Sequence, residues 1–404
     1  MAQRLLDAGC VLATAPKQAD CIIVNTCSFI QAATEESIEA IFEMCELPHV
    51  EQGRAKVIVA GCMPSRYGDE LEESLKEIDT FVPCSKEDDI VAIVESLFPG
   101  RLGAIASSKL SVSPSVYVKI SDGCDRFCSF CTIPFIRGRY HSYSLESIDA
   151  EVQNAVDAHA REIVLIAQDT GRWGEDFAQA QDLSQLVGFL AEKYPSTWFR
   201  IMYVQPEGVS DALLDVIAQH ENVASYLDIP FQHANKDILK AMNRKGSGSE
   251  YLSLIKHIRN RVPGVTLRTT LIAGFPGESE DDFDELCSFV EDAELDYVGV
   301  FAYSREEGTR AAKLPDQLDE EEKQYRARRL RDIADAISAG RISQRIGKEM
   351  DVLVEGREED GQLFGRALCQ APDVDGVVYL SSGEVGSIVH VTIADTLMYE
   401  MEAE

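Results

Sequence analysis

The sequence predicts an α/β chain in three parts: an N-terminal open α/β sheet, a partial (β/α)6 barrel of the TIM-like kind, and a small antiparallel β-barrel at the end. Three observations predict it. Short apolar runs alternate with helix-period segments over residues 1–97. Six more strand-like runs follow between residues 116 and 303, most of them separated by helical patterns. After residue 341 the pattern changes to short strands split by Gly and Asp turns. A chain of 404 residues, 45% of them hydrophobic, is long enough to bury several cores.

In residues 1–97, "CIIVN" (21–25) and "KVIVAG" (56–61) read as buried parallel strands. "EESIEAIFEMC" (35–45) and "DELEESLKEI" (69–78) read as the helices between them. Each strand runs into a loop with a cysteine: Cys27 in "NTCSF" and Cys62 in "AGCMPSRYG". Open parallel sheets bind ligands at the carboxyl ends of their strands, so these two thiols are expected on one edge, as part of a metal site. Cys21 and Cys45 read as ordinary buried thiols. "FPGRLGAIASSKLSVSPS" (98–115), rich in Gly, Ser and Pro, reads as a linker.

Residues 116–340 hold the runs "VYVKI", "EIVLIA", "WFRIMYV", "SYLDI", "TLRTTLIAG" and "YVGVFAY", which parallel crossovers close into a partial barrel. The helix expected over 318–340 carries acids early and bases late, an order that suits the helix dipole and marks it as structural. Residues 341–404 supply "EMDVLVEG", "LFGRALC", "GVVYL" and "SIVHVTIAD", the strands of the terminal barrel.

Charge and composition exclude some partners. The net charge is −31, from 38 basic and 69 acidic residues. Such a field repels nucleic acid and attracts basic macromolecules. The terminal barrel is acidic in its own right, with five basic residues (Arg341, Arg345, Lys348, Arg357, Arg366) against thirteen acidic ones. That asymmetry favours a basic protein partner and disfavours nucleic acid there. The opening "MAQRLLDAGCVLATA" lacks the apolar run of a signal peptide, and no stretch reaches the roughly 18 apolar residues of a membrane span. The expectation is a cytoplasmic protein whose eleven cysteines stay reduced and serve metal or clusters.

The densest chemistry lies in "SDGCDRFCSFCTIPFIRGR" (121–139), where Cys124, Cys128 and Cys131 stand as C-x3-C-x2-C. Structural zinc closes its sphere with four protein ligands. Three thiolates suit a 4Fe–4S cubane that keeps one iron open to a small molecule. Zinc remains the other reading, with Cys84 or His141 as a fourth ligand. The loop directly follows the first barrel strand, at the end where barrels place catalysis, and this favours the cluster.

At these residues the chain resembles the radical S-adenosylmethionine enzymes. "VNTCSFI", "EESIEAI", "AGCMPSRYGDEL", "LIAQDT", "YVQPEGVSDALLDVIA", "YLDIPFQHAN", "RTTLIAGFPGE" and "DVDGVVYL" are together similar to the methylthiotransferases, and most to the RimO type. That type modifies an aspartate of small-subunit ribosomal protein twelve. The resemblance covers almost the whole chain and identifies the terminal barrel as TRAM-like (OB-like). It implies that the open iron on Cys124, Cys128 and Cys131 binds S-adenosylmethionine, which one electron splits to a deoxyadenosyl radical. It implies a second 4Fe–4S cluster, ligated from the N-terminal domain, that handles the sulfur, and a second S-adenosylmethionine that supplies the methyl group. An electron donor and a sulfur donor are implied as partners.

Other positions follow from the same likeness. Gln168 and Asp169, ending the second barrel strand, are candidates to hold the cofactor. Gly274, Pro276 and Gly277 in "AGFPGE" form a loop that lets backbone approach a ligand; a plain turn is the other reading. Arg200 and Arg268 lie inside strands, where an inward arginine needs an anionic partner such as the cofactor carboxylate or the substrate aspartate. His233 in "PFQHAN" is a further catalytic candidate.

Two departures stand against the pattern. The family places a first cysteine on a loop well before "NTCSF", whereas "MAQRLLDAGC" reads as the helix after that missing strand. Cys27 and Cys62 are thus two ligands of an expected three. The expectation is a truncated start; Cys10 or Cys21 as a substitute, and a cluster that fails to assemble, are the alternatives. In "HSYS" (141–144), Tyr143 stands where the family carries a basic contact. The rival functions are a tRNA-adenosine methylthiotransferase and a cluster-binding protein without sulfur insertion.

Overall fold

The computed structural model describes residues 1–103 and 113–404. Half of the linker expected over 98–115, residues 104–112, lies outside the described residues. The chain forms two compact units. One joins the N-terminal residues with two later segments, Gly123–Arg139 and Ser304–Ala312. The other runs up to Asp122 and takes in Tyr140–Tyr303 and Lys313–Glu404. The three-cysteine loop therefore belongs to the same unit as the N-terminal sheet.

That first unit is built on a parallel sheet of β1 (Cys21–Thr26), β2 (Lys56–Gly61) and β3 (Thr80–Pro83), in that spatial order. Its helices are α1 (Ala2–Asp7), α2 (Gln31–Cys45), α3 (Cys62–Tyr67), α4 (Asp69–Ser74) and α5 (Ile90–Leu97). The expected strands and helices are present, and β3 is an addition that periodicity did not reveal. Both faces of β2 are covered: Val57 and Val59 pack with Ile41 of α2, and Ile58 and Ala60 with Val82, Ile90 and Val94. Burial on two sides is why β2 reads as an unbroken apolar run and not an alternating one. The helix expected over 69–78 stops at Ser74, and Leu75 and Ile78 turn into the core, each at most 9% exposed.

In the second unit all six expected barrel strands form. They are β4 (Ser115–Lys119), β5 (Glu162–Ile166), β6 (Trp198–Ile201), β7 (Tyr226–Asp228), β8 (Thr266–Ala273) and β9 (Tyr297–Ala302). They make two parallel three-stranded sheets, β4-β5-β6 and β7-β8-β9. A parallel bridge from Phe199 to Val223 and a bond from Val204 N to Asp228 O (3.0 Å) carry the arc from one to the other. Intervening helices, such as α6 (Leu183–Lys193) with its Asp182/Gln185 capping box, bury Leu186, Val187 and Leu190 against it. The helix expected over 318–340 spans Glu320–Ser343.

The terminal barrel closes with β10 (Glu349–Arg357), β11 (Leu363–Ala367), β12 (Val378–Leu380), β13 (Ile388–Leu397) and β14 (Glu400–Ala403). Four of these were expected. β14 pairs parallel with β12 and antiparallel with β13, so no strand edge is left open. Gly365 is obligatory in β11, since a Cβ there would stand 2.2 Å from Leu353 O.

An ion-pair network locks this barrel to the six-strand arc. Glu162 Oε1 accepts from Arg200 Nε at 2.8 Å, and its Oε2 meets Arg366 Nη2 at 2.5 Å. Arg366 also pairs with Glu355 (2.6 Å), and Arg200 Nη1 donates to Leu368 O (2.9 Å). Nearby, Arg268 pairs with Asp228 (3.0 Å) and Asp375 (3.4 Å).

Candidate functional site

The N-terminal sheet puts cysteines at the ends of all three strands. Cys27 follows β1, Cys62 follows β2 and Cys84 follows β3, each as the next residue in the chain. The strands end level, because Thr26 is paired with Gly61 and Gly61 with Pro83. Cys62 thus has Cys27 on one side and Cys84 on the other, close enough for the three thiols to influence one another's ionisation. Sequence reasoning expected the first two on one edge. Cys84 enters the sequence reading only as a possible fourth ligand to a zinc at the three-cysteine loop, since the short β3 before it shows no period. The signal was present: a thiol directly after a short β-branched and aromatic run, "TFVP".

The row of thiols is polarised. Cys27 is lowered to about 6 and Cys84 to about 7, each chiefly by the neighbouring Cys62 thiol, with Arg137 acting in the same direction. Cys62 itself is pushed up by those two thiols and by burial. The Arg137 guanidinium stands 3.9 Å from Cys62 Sγ. Such a set loses protons as a unit, the state that a metal requires of its thiol ligands.

Arg137 belongs to the three-cysteine loop, which folds back on itself. Cys124 N donates to Gly138 O (3.2 Å) and Cys131 N to Cys128 O (3.1 Å). Gly123, at φ +74°, allows the closure, since a Cβ there would lie 2.2 Å from Arg139 O. The loop is fastened within its unit from two sides. Thr132 Oγ1 donates to Phe29 O (3.1 Å), and Ala311 N donates to Ser129 O (2.8 Å). Glu306, 4% exposed, accepts from Arg66 Nη2 (2.8 Å) and Gln31 N (2.8 Å), and so holds the 304–312 segment to the sheet.

All eleven cysteines are free thiols. Among the described residues, no three His, Cys, Asp or Glu side chains close around a point fit for one metal ion. A cubane makes a different demand, because separate irons meet separate thiolates. Two thiol sets, half-buried but for the exposed Cys27, with the Arg137 guanidinium beside Cys62, fit anionic iron–sulfur clusters in donor type and charge.

The remaining candidates lie in the second unit. Gln168 is half-buried, with an Oε1 that has no hydrogen-bond partner among the described residues; Asp169 is fully buried. The 273–278 loop is a firm turn. Both Glu278 carboxylate oxygens accept from Gly274 N (3.0 Å each), one meets Arg326 Nη1 (2.9 Å), and the other meets His233 Nε2 (3.2 Å). A Cβ on Gly274 would lie 2.6 Å from Lys323 Cγ, whereas Gly277, at φ +84°, faces no heavy atom within 4 Å. The arginines differ from expectation. Arg200 and Arg268 find their anionic partners in Glu162, Asp228 and Asp375 of the chain itself, and Arg200 is 0% exposed. His233 is a loop-holding residue, also 0% exposed.

A six-strand parallel arc with a three-thiol loop after its first strand is the arrangement of the radical S-adenosylmethionine enzymes. Comparison with known proteins bears this out. The Radical SAM superfamily matches residues 118–290, the uncharacterized protein family UPF0004 residues 1–83, and the TRAM domain residues 346–404. The chain is 41% identical to the ribosomal protein uS12 methylthiotransferase RimO of Geobacter sulfurreducens, over 97% of this chain and 92% of that one. It is 40% identical to the protein of that name from Clostridioides difficile, over 95% and 90%. Among solved structures, the radical S-adenosylmethionine methyltransferase TsrM of Kitasatospora setae matches 70% of this chain and 65% of its own length, with a TM-score of 0.53. At 14% identity that likeness shows the fold alone. The chain belongs to the RimO family of radical S-adenosylmethionine methylthiotransferases, enzymes that use an iron–sulfur cluster and S-adenosylmethionine.

Proposed function

We propose that this enzyme methylthiolates the β-carbon of an aspartate in ribosomal protein uS12, in the cytoplasm, with two 4Fe–4S clusters. The observation that carries the reading is the near-full-length likeness to relatives bearing that name. Cys124, Cys128 and Cys131 would hold the cluster that binds S-adenosylmethionine, and the N-terminal strand ends, with Cys27 and Cys62, would hold the second. The clusters, when bound, supply homolytic cleavage of the sulfonium and a place for the sulfur to be transferred.

The chain's own groups do the rest. Gln168 offers a buried acceptor without a partner, and the Gly274–Gly277 turn, fixed by Glu278, presents backbone to a ligand. Pro276 adds stiffness to that turn. Arg268 is committed to Asp228 and Asp375 and is not part of this set. A reductant and a sulfur donor act from outside.

The terminal barrel supports a protein substrate over tRNA. Of its five basic residues, Arg366 is buried against Glu162, and Arg341 and Arg345 pair with Asp296. Only Lys348 and Arg357 are exposed, among acids such as Glu349, Asp351, Glu358, Glu359 and Asp360. A groove that tracks phosphates needs the opposite surface. Mass spectrometry of uS12 from cells with and without this gene tests the proposal. The expected result is one methylthio group on an aspartate, lost with the gene. An unchanged uS12 together with a lost methylthio group on a tRNA adenosine would replace the substrate.

A further inference from the structure

We propose that Lys119 receives the carboxylate of the substrate aspartate on the inner face of the six-strand arc. This rests on the reading above, that a protein aspartate is the substrate, and names the group that recognises its side chain. The strands of the arc have two faces. Val116, Val118, Ile163 and Leu165 pack into the core that the strands share with the helices. Their neighbours in sequence, among them Tyr117, Lys119 and Val164, take the other face, because successive side chains of a strand point to opposite sides. The terminal barrel fills the amino end of that inner face. Val164, Met202, Tyr226 and Tyr297 share a core with Val352 and Leu363. Ser115, the first residue of β4, bonds Glu162 (2.7 Å) and Glu355 (3.0 Å) there. Further along the strands, Tyr117 and Phe301 are exposed on the same face. Aromatic walls with few polar groups are what a ligand site offers.

A carboxylate taken out of water needs a cation. The cations on these six strands are Lys119, Arg200 and Arg268. Arg200 is buried and paired with Glu162. The Arg268 side chain is 12% exposed and pairs with Asp228 and Asp375. Lys119 differs from both. It is the last residue of β4, four beyond Ser115, and so roughly 13 Å further along at about 3.3 Å per residue. Its side chain is 35% exposed, and its ammonium meets Asp122 Oδ2 at 2.8 Å. That ion pair already restrains a flexible stem, so less freedom is lost when a ligand arrives. An ammonium has three N–H donors and can serve Asp122 and a second carboxylate together. The geometry of the substrate gives such a contact its use. The β-carbon of aspartate is bonded directly to the carboxyl carbon, so a held carboxylate fixes the carbon that reacts. Asparagine has the same shape without the charge, and this site should discriminate against it.

The test uses the full 404-residue chain, reconstituted anaerobically with iron and sulfide. Its partner is uS12 in two forms, the natural protein and one with asparagine at the aspartate that mass spectrometry shows to be modified. Calorimetry reads binding. The unmutated enzyme is expected to bind the asparagine form about tenfold more weakly. Lys119→Ala is expected to bind natural uS12 more weakly by about the same factor and to lose the discrimination between the two forms. Lys119→Arg, which keeps the cation, is expected to recover part of it. Iron content, circular dichroism and S-adenosylmethionine affinity are expected to stay at the parent's values in both variants. Should Lys119→Ala fail to fold, Lys119→Met, which keeps the apolar stem, takes its place. Equal discrimination in the unmutated enzyme and in the alanine or methionine variant would overturn the assignment while the uS12 reading stands. So would a variant that binds S-adenosylmethionine more weakly but still discriminates, since the lysine would then serve the cofactor's carboxylate. An unmutated enzyme that neither binds nor modifies uS12 would sink the substrate reading itself, and this assignment with it.

Discussion

Glu278 shows how much one buried carboxylate can hold. Its oxygens accept from Gly274 N, Phe275 N and Arg326 Nη1 and face His233 Nε2, all at 3.3 Å or less. Burial alone would raise its pKa. The bond and charge of His233, then Arg326 and the Gly274 amide, outweigh burial and hold it below the usual carboxylate range. A depressed folded value means its stabilisation is present above the unfolded pKa of about 4.3 and is lost as pH falls through the folded one. Glu278→Ala leaves two amides without their acceptor inside the protein and takes from Arg326 its most buried carboxylate, with Glu280 and Glu322 remaining. We expect a loss of about 3–5 kcal/mol in denaturant unfolding and weaker S-adenosylmethionine binding by calorimetry. An unfolding midpoint equal to the parent's would show that the carboxylate is dispensable. Cys128 is the complementary case, a residue whose removal should spare the fold. Cys128→Ala is expected to reduce 5′-deoxyadenosine release under dithionite to background, with an unchanged thermal midpoint. Normal release would mean that the ligand set is misassigned.

At the scale of elements, legibility followed length and burial. The six strands of the arc are apolar runs flanked by turn residues, and all six were readable within a few residues. β3 was not. Its four residues are too few to show a period, and it ends in Pro83, which is tolerated because β3 lies on the sheet edge. Missing that strand left the place of Cys84, the residue directly after it, unread. β14, "EMEA", was missed because half its side chains are glutamate; closure of the barrel gives it partners that a linear reading does not supply. The partners of Arg200 and Arg268 were hidden for a related reason, since Glu162, Asp228 and Asp375 lie far along the chain. Long-range ion pairs leave no local pattern. Glu162 joins three elements at once, and burial, which would raise its pKa, is outweighed by Arg200 and Arg366, leaving it at about 2. Its contribution is therefore present above about pH 4.3 and drains away toward pH 2. Glu162→Ala, which leaves the buried Arg200 without a carboxylate and Arg366 with Glu355 alone, is expected to cost about 3 kcal/mol and to flatten the acid limb of the stability profile. A variant whose stability fell as steeply between pH 4 and pH 2 as the parent's would place that acid sensitivity elsewhere.

For the whole molecule the controlling quantity is charge. A net −31 is spread over a chain whose terminal barrel buries or pairs three of its own five cations. A fold of that sign steers a basic protein toward it at long range and slows the approach of a polyanion. The two fates separate on a salt axis. Exposed charges are screened beyond about 10 Å at 0.1 M salt and beyond about 3 Å at 1 M. Raising salt from about 0.05 M to 0.5 M should therefore lower the association rate for uS12 by about tenfold or more and leave the dissociation rate nearly fixed. Stopped-flow mixing with labelled uS12 measures both. Charge reversal at Glu358, Glu359 and Asp360, all exposed, should reproduce part of the fall at low salt without changing cluster content. tRNA gains its affinity by releasing counterions from phosphates, for which the terminal barrel exposes only Lys348 and Arg357 among its acids. It should show no salt-sensitive retention under the same conditions. Should tRNA bind tightly at low salt and release steeply as salt rises, while uS12 binding stays flat, the acidic barrel would not be the docking surface and the cation-bearing face of the enzyme would have to lie elsewhere.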